Sequence, residues 1–182
     1  YADIAVLDAQ LTLGLPRNVT AATGIDAMVH AIEAYTSKIR KNPVSDALAR
    51  EALKLLASNI VKACETPGDI EAREKMLLGA MLAGQAFAKA PVAAVHAMAY
   101  PIGALFHVPH GLSNSLMLAP VLKFNMEAAA PLYAELGDVI GAEATGGFKE
   151  RAEAFVTKLA GICAATGVEQ RLSQVGISHN DL

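Results

Sequence analysis

Tryptophan is absent from this 182-residue chain and aromatic residues make up only 5% of it, so any core must be built from aliphatic side chains and alanine. With 53% hydrophobic residues, that composition favours packed helices. Charge is scarce as well, at 18%, and the net charge of −3 is dispersed over both signs. Nucleic acid and anionic lipid therefore find no basic stripe to bind. Cysteine occurs only as Cys64 and Cys163, without a CxxC pair, which excludes a disulfide scaffold and fits a reducing compartment. No apolar run is long enough for a bilayer, since "VAAVHAMAYPIGALF" is short and carries a His and a Pro, so no membrane is expected as a partner. No basic segment precedes an apolar run at the start, so no secretory leader is expected and the cytoplasm is the expected compartment. Also missing are GxGxxG after a strand, GxxxxGK[ST], GxSxG and HExxH. Phosphate cradles, serine hydrolase elbows and zincin peptidase sites are thereby unsupported.

One strand and several helices are legible. "DIAVLD" at 3–8 is apolar and partly β-branched, followed by the connector "AQLTLGLPRNVT". One strand cannot form a sheet alone, and the chain opens on Tyr1 rather than Met, so a piece of a longer protein is expected. Helices are predicted over 20–37 with Thr20 as N-cap, and over 43–63 with Pro43 in the first turn and Leu48, Leu53, Leu55, Leu56 and Ile60 as core. "TPGD" marks a turn and a cap before a third helix over 69–89. Its core candidates are Ile70, Met76, Leu77, Met81, Leu82 and Phe87, with Gly79, Ala80, Ala83 and Gly84 admitting a close neighbour. A helix disturbed at Pro101, a break in "HVPHG", a helix from "LSNSLMLAPVLKFN" and two more over 127–140 and 148–166 complete an all-α domain.

Within "ATGIDAMVHAIEAYTS", Asp26 and His30 stand four residues apart, on one helix face. Alone, the pair reads as a wet-face feature. Three of the five histidines, however, fall within 96–110, the most apolar region of the chain. His96 has no charged neighbour for several residues on either side and needs either hydrogen bonds or a metal. His110 follows the break, where irregular backbone can return it to the same point. Asp26, His30, His96 and His110 would then present one carboxylate and three imidazoles, a donor set suited to iron or zinc and poor for calcium. Glu33 is read as a group that orients a ligand imidazole, with a surface ion pair or a loop cap as the alternatives. His107 stays open between ligand, substrate-facing group and solvated loop residue, while His179 is expected to be exposed.

"LTLGLPRNVTAATGIDAMVHAIEAYTS" and "AGQAFAKAPVAAVHAMAYPIGALFHVPHGLSNSLMLAPVLKFN" together closely resemble the iron-containing (group III) alcohol dehydrogenases over almost the whole chain. The resemblance implies Asp26, His30, His96 and His110 as metal ligands, with His110 also facing the cofactor. It implies Fe(2+), or Zn(2+), as the metal, NAD(P) as the hydride carrier, a small alcohol or aldehyde as substrate and a homo-oligomer as the assembly. It further implies that 1–15 belong to the end of an α/β NAD(P)-binding domain. Residues 16–182 then form the helical C-terminal domain of the dehydroquinate synthase-like type, itself cut short at its C-terminus. Many members carry a histidine four residues after the third ligand, implicated in proton relay, where this chain has Tyr100. A phenol is a poor proton acceptor at neutral pH, so any relay is expected from His107 or solvent, with Tyr100 beside them.

Overall fold

The computed structural model describes residues 3–181 and contains seven α-helices. They are α1 (Arg17–Thr36), α2 (Pro43–Glu65), α3 (Ile70–Phe87), α4 (Ala94–Phe106), α5 (His110–Phe124), α6 (Met126–Val139) and α7 (Phe148–Thr166). Short 3-10 turns lie at Ala9–Thr12, Leu172–Val175 and His179–Asp181. No strand occurs among the described residues. The expected strand over 3–8 stays unpaired, although Asp8 is locally extended, because a strand needs a ladder partner and none is in reach. Ile4, Val6 and Leu11 are left more than 80% exposed.

Helix α1 is the axis of the domain and touches each of the other six helices. Ile25, Met28, Val29 and Ile32 are fully buried among the surrounding helices, while one face stays partly open, with Val19 and Thr23 exposed and Asp26 and His30 half-buried. It begins at Arg17, one turn before the expected start, because Pro16 can open a helix and Pro16 O accepts from Thr20 N. Thr20 is therefore not the N-cap. Its hydroxyl instead accepts a hydrogen bond from the buried Arg73 of α3 at 2.8 Å.

Helix α2 starts as anticipated: Asn42 accepts from Val44 and Ser45 amides, with Pro43 in the first turn. Leu53, Leu56 and Ile60 are fully buried, while Leu48 and Leu55 are only partly so. The "TPGD" cap is also present, Asp69 accepting from Ala72 N at 2.9 Å. In α3 the buried contacts fall on Gly79, Ala83 and Ala86, while Met76, Leu82 and Phe87 pack from the sides and Ile70 is exposed. The reason is proximity: a Cβ on Gly79 would lie 2.8 Å from Leu56 Cγ, so only small residues fit between α2 and α3. Gly84 faces open space and Ala80 is exposed, so they do not serve this approach.

Helix α4 runs through Pro101 without a break. Ala97 and Pro101 both lie on its exposed face, so the Ala97 carbonyl that loses its partner can be hydrated. The chain breaks six residues later, where His107 takes the left-handed conformation (φ 57°) and its N–H bonds Gly103 O. This turn starts α5 at His110. Gly111 then meets α1 backbone to backbone, since a Cβ there would lie 2.5 Å from Ala22 O. Helices α6 and α7 pack as a hairpin across α1 and α2 through Tyr133, Leu136, Phe155 and Leu159.

Gly111→Ala should destabilise the protein by ~1–3 kcal/mol, a range typical of overpacking against atoms that cannot move aside. Thermal unfolding reads this as a lowered Tm; an unchanged Tm would show that α1 and α5 can separate freely.

Candidate metal centre

Three helices bring the sequence-predicted residues together. Asp26 and His30 project from α1, His96 from the first turn of α4 and His110 from the first residue of α5. Asp26 Oδ1 lies 3.5 Å from His96 Nε2, 3.7 Å from His110 Nε2 and 3.9 Å from His30 Nε2. His30 Nε2 and His96 Nε2 are 3.0 Å apart. One ligand atom from each of the four residues lies within 4.8 Å of the other three. Bonds of about 2.1 Å in a tetrahedron give ligand-to-ligand edges of about 3.4 Å, so the observed separations bracket a divalent transition metal at the centre.

Donor chemistry supports the fit. His96 is buried and its Nδ1 lies 2.7 Å from Glu33 Oε2, a bond that requires hydrogen on Nδ1 and turns the Nε2 lone pair towards the other three ligands. Burial, reinforced by neighbouring His96 and His110, holds His30 below its ordinary pKa despite the attraction of Asp26, so its imidazole is neutral and able to ligate at neutral pH. Burial raises the Asp26 carboxyl, but the bond to His96, the charges of His30 and His110 and the Asn114 amide together hold it below the usual range. Asp26 is therefore ionised. With no metal present His96 is opposed by burial yet flanked by Asp26 and Glu33, which push it up to about 9.

The rim is aromatic. Phe87 stacks on His30 at 4.5 Å between centroids, and Tyr100 stacks on His110 at 6.0 Å while presenting its edge to His96 at 6.1 Å. Tyr100 is 56% exposed, so it is not a core aromatic. His107 caps α4 with an exposed side chain, and among the described residues no hydrogen bond or ring contact joins it to the four ligands. His179 is exposed in the last 3-10 turn, as expected.

Asn114 and the packing of Phe87 on His30 escaped the sequence reading. Asn114 is buried in α5, and its Nδ2 lies 2.6 Å from Asp26 Oδ1 and 3.1 Å from His110 Nε2. Its position four residues after His110, one turn along the same face, is the signal that could have found it. Phe87 carries no comparable signal, since a core aromatic has the same pattern. A cleft of about 650 Å3 opens beside Asp26 and His110, walled mostly by apolar groups such as Val19, Ala22, Leu112 and Val168.

Fold and site define an all-helical domain in which one carboxylate and three imidazoles converge on a point that could hold a metal ion. The model of the Fe-containing alcohol dehydrogenase family, C-terminal part, matches residues 20–182, and the chain belongs to that family. It is 38% identical over 180 residues to the 1,3-propanediol dehydrogenase of Citrobacter freundii, covering 98% of this chain and 46% of that protein. A crystal structure of 1,3-propanediol oxidoreductase superposes with a TM-score of 0.92 at 37% identity, over 96% of this chain and 46% of that one. Maleylacetate reductase from Agrobacterium tumefaciens is similar too, with a TM-score of 0.84 at 29% identity, over 96% and 46% of the two chains. The chain thus spans about half the length of the relatives it matches. No helix among the described residues is long and apolar enough to cross a membrane.

Because His96 carries a proton up to about pH 9 without metal, zinc binding at pH 7 must displace it. Affinity, measured by chelator competition, should rise about tenfold per pH unit from pH 7 until the curve flattens near 9; a flat profile would refute the proton-linked site. The sign for stability is opposite. The His96 pKa is raised above the ordinary 6.5, so the metal-free protein has this stabilisation in full below pH 6.5 and loses it as pH rises through about 9.

Proposed function

We propose that this chain is the metal-holding half of an NAD(P)-linked alcohol dehydrogenase that also works as an aldehyde reductase on small alcohols and aldehydes. Iron(II) is the proposed metal, and zinc suits the same ligands. The observation that carries this reading is the convergence of Asp26, His30, His96 and His110 within 4.8 Å, with the His96 ring aimed by Glu33.

Lewis acidity towards a substrate oxygen is what the metal supplies when bound, and hydride exchange is what the nicotinamide supplies. Asp26 contributes the only negative charge among the four ligands and so leaves a dication undercompensated, which favours an electron-rich oxygen beside it. His96 is buried and closes the inner wall, whereas the His110 side chain is 49% exposed and opens towards the apolar cleft. That cleft suits the hydrocarbon part of a small alcohol, while Phe87 and Tyr100 pack on the rings of His30 and His110. His107, exposed at the turn between α4 and α5, is the group we assign to exchanging a proton with water, and Tyr100, stacked on His110, lies beside the site. No glycine-rich cradle for the cofactor phosphates is present in this sequence, so we place their binding outside it, with His110 facing the nicotinamide. A homo-oligomer in the cytoplasm accompanies this reading.

A second reading is maleylacetate reduction, favoured by the similarity to the Agrobacterium enzyme. The complete four-ligand set favours the metal-dependent alcohol reading over it. A third is a freestanding helical domain that binds metal or a partner chain through the exposed Ile4, Val6 and Leu11.

Protein purified without chelators should contain close to one equivalent of iron or zinc per chain, and His96→Ala should lose it. Retention of metal by His96→Ala, read by elemental analysis, would remove the basis of the proposal. The 182-residue chain alone should oxidise no alcohol with NAD or NADP; measurable turnover would show that the cofactor site lies within it after all.

A further inference from the structure

We infer that Glu33 is a positioning residue for the metal centre: from α1 it caps the start of α4 and, with the same carboxylate, dictates which nitrogen of His96 faces the metal. The inference rests on the metal reading above. Helix α4 begins without a cap of its own, since Ala93 at its N-cap position makes no side-chain hydrogen bond and the preceding "APVA" has no side chain able to accept one. The free N–H groups of a helix start need acceptors when they are buried. Glu33, 3% exposed, provides them: Oε2 accepts from Ala93 N at 2.8 Å and Oε1 from Val95 N at 2.6 Å. The His96 ring completes the set, with Nδ1 2.7 Å from Oε2.

An ionised carboxylate only accepts, so this arrangement admits one tautomer of His96 in the loaded site, hydrogen on Nδ1 and lone pair on Nε2. A negative charge at the start of α4 is stabilised in turn by the helix dipole. The geometry has a mechanical consequence as well. Asp26, His30 and Glu33 ride on one helix, so α1 carries two ligands and the group that sets both the register and the ring orientation of the third. A displacement of α4 that breaks the bonds to Ala93 and Val95 also turns His96 away.

Glu33→Gln separates positioning from plain capping. An amide has one accepting oxygen and an NH2 that donates, so it cannot serve three donors, and an NH2 facing Nδ1 favours the tautomer that blocks Nε2. With zinc as probe, affinity should fall about 10–100-fold, the range typical when a hydrogen-bond partner of a metal-bound histidine is lost. The low-field Nδ1–H resonance of His96 expected in the zinc-loaded wild type should vanish, and amide exchange at Ala93 and Val95 should accelerate. Faster amide exchange with zinc affinity and the Nδ1–H signal unchanged would overturn the inference, because that is the pattern of a cap alone.

If Glu33→Gln fails to fold, Glu33→Asp keeps the charge but withdraws it by one methylene. Weaker zinc binding by Glu33→Asp supports the inference and unchanged binding overturns it. Absence of a His96 Nδ1–H resonance from the zinc-loaded wild type overturns it without any variant. A wild type that takes up no zinc or iron defeats the metal reading first, an outcome distinct from a wild type that binds tightly and a Glu33→Gln that binds equally well.

Discussion

Packing α1 against six other helices places severe demands on the few polar groups it carries. Glu33 is buried outright, while Asp26 and His30 are half-buried on the one face that α1 leaves partly open, in line with the exposed Val19 and Thr23, and each unmet polar group that is buried costs free energy on the order of 1–3 kcal/mol. The fold meets the demand by convergence. The first turns of α4 and α5 deliver His96 and His110 to the Asp26 carboxylate, and α5 adds the Asn114 amide. The site thus follows from sinking a polar stripe part-way into the wall of an otherwise aliphatic bundle.

Its electrostatics follow from the same packing. Two carboxylates flank His96, one on each ring nitrogen, and neither has a lysine or arginine partner among the described residues. A proton on His96 balances them when no metal is there, and a divalent ion balances them better. In the proposed metal site proton and metal compete for one position, which would make metal loading sensitive to pH and tie both to the α4 start through Glu33.

Much of this was legible in the residues. The i, i+4 spacing of Asp26 and His30, the isolation of His96 among apolar neighbours and the turn chemistry of "HVPHG" mark the four residues that the fold brings together, and the "TPGD" cap at Asp69 sits where local side-chain chemistry puts it. Local rules failed where the deciding partner was distant. Thr20 has the look of a cap, yet a buried Arg73 from α3 claims its hydroxyl. Pro101 is expected to disturb its helix, yet with Ala97 and Pro101 on the exposed face α4 runs through it. The segment over 3–8 has strand composition and no strand, because pairing is a property of two segments and only one is here.

By itself the sequence determined which residue types could ligate, that the domain would be helical, and which family it belongs to, because periodicity, capping and motif spacing are written in neighbouring residues. Tertiary structure alone decided that His96 shows Nε2 rather than Nδ1 to Asp26 and His30, that Asn114 and Phe87 join the site, and that His107 takes the left-handed turn that ends α4. Those outcomes depend on which helices meet and at what distance. Such distances arise only when small residues such as Gly79 and Gly111 let the backbones close in, and a linear pattern does not carry that information.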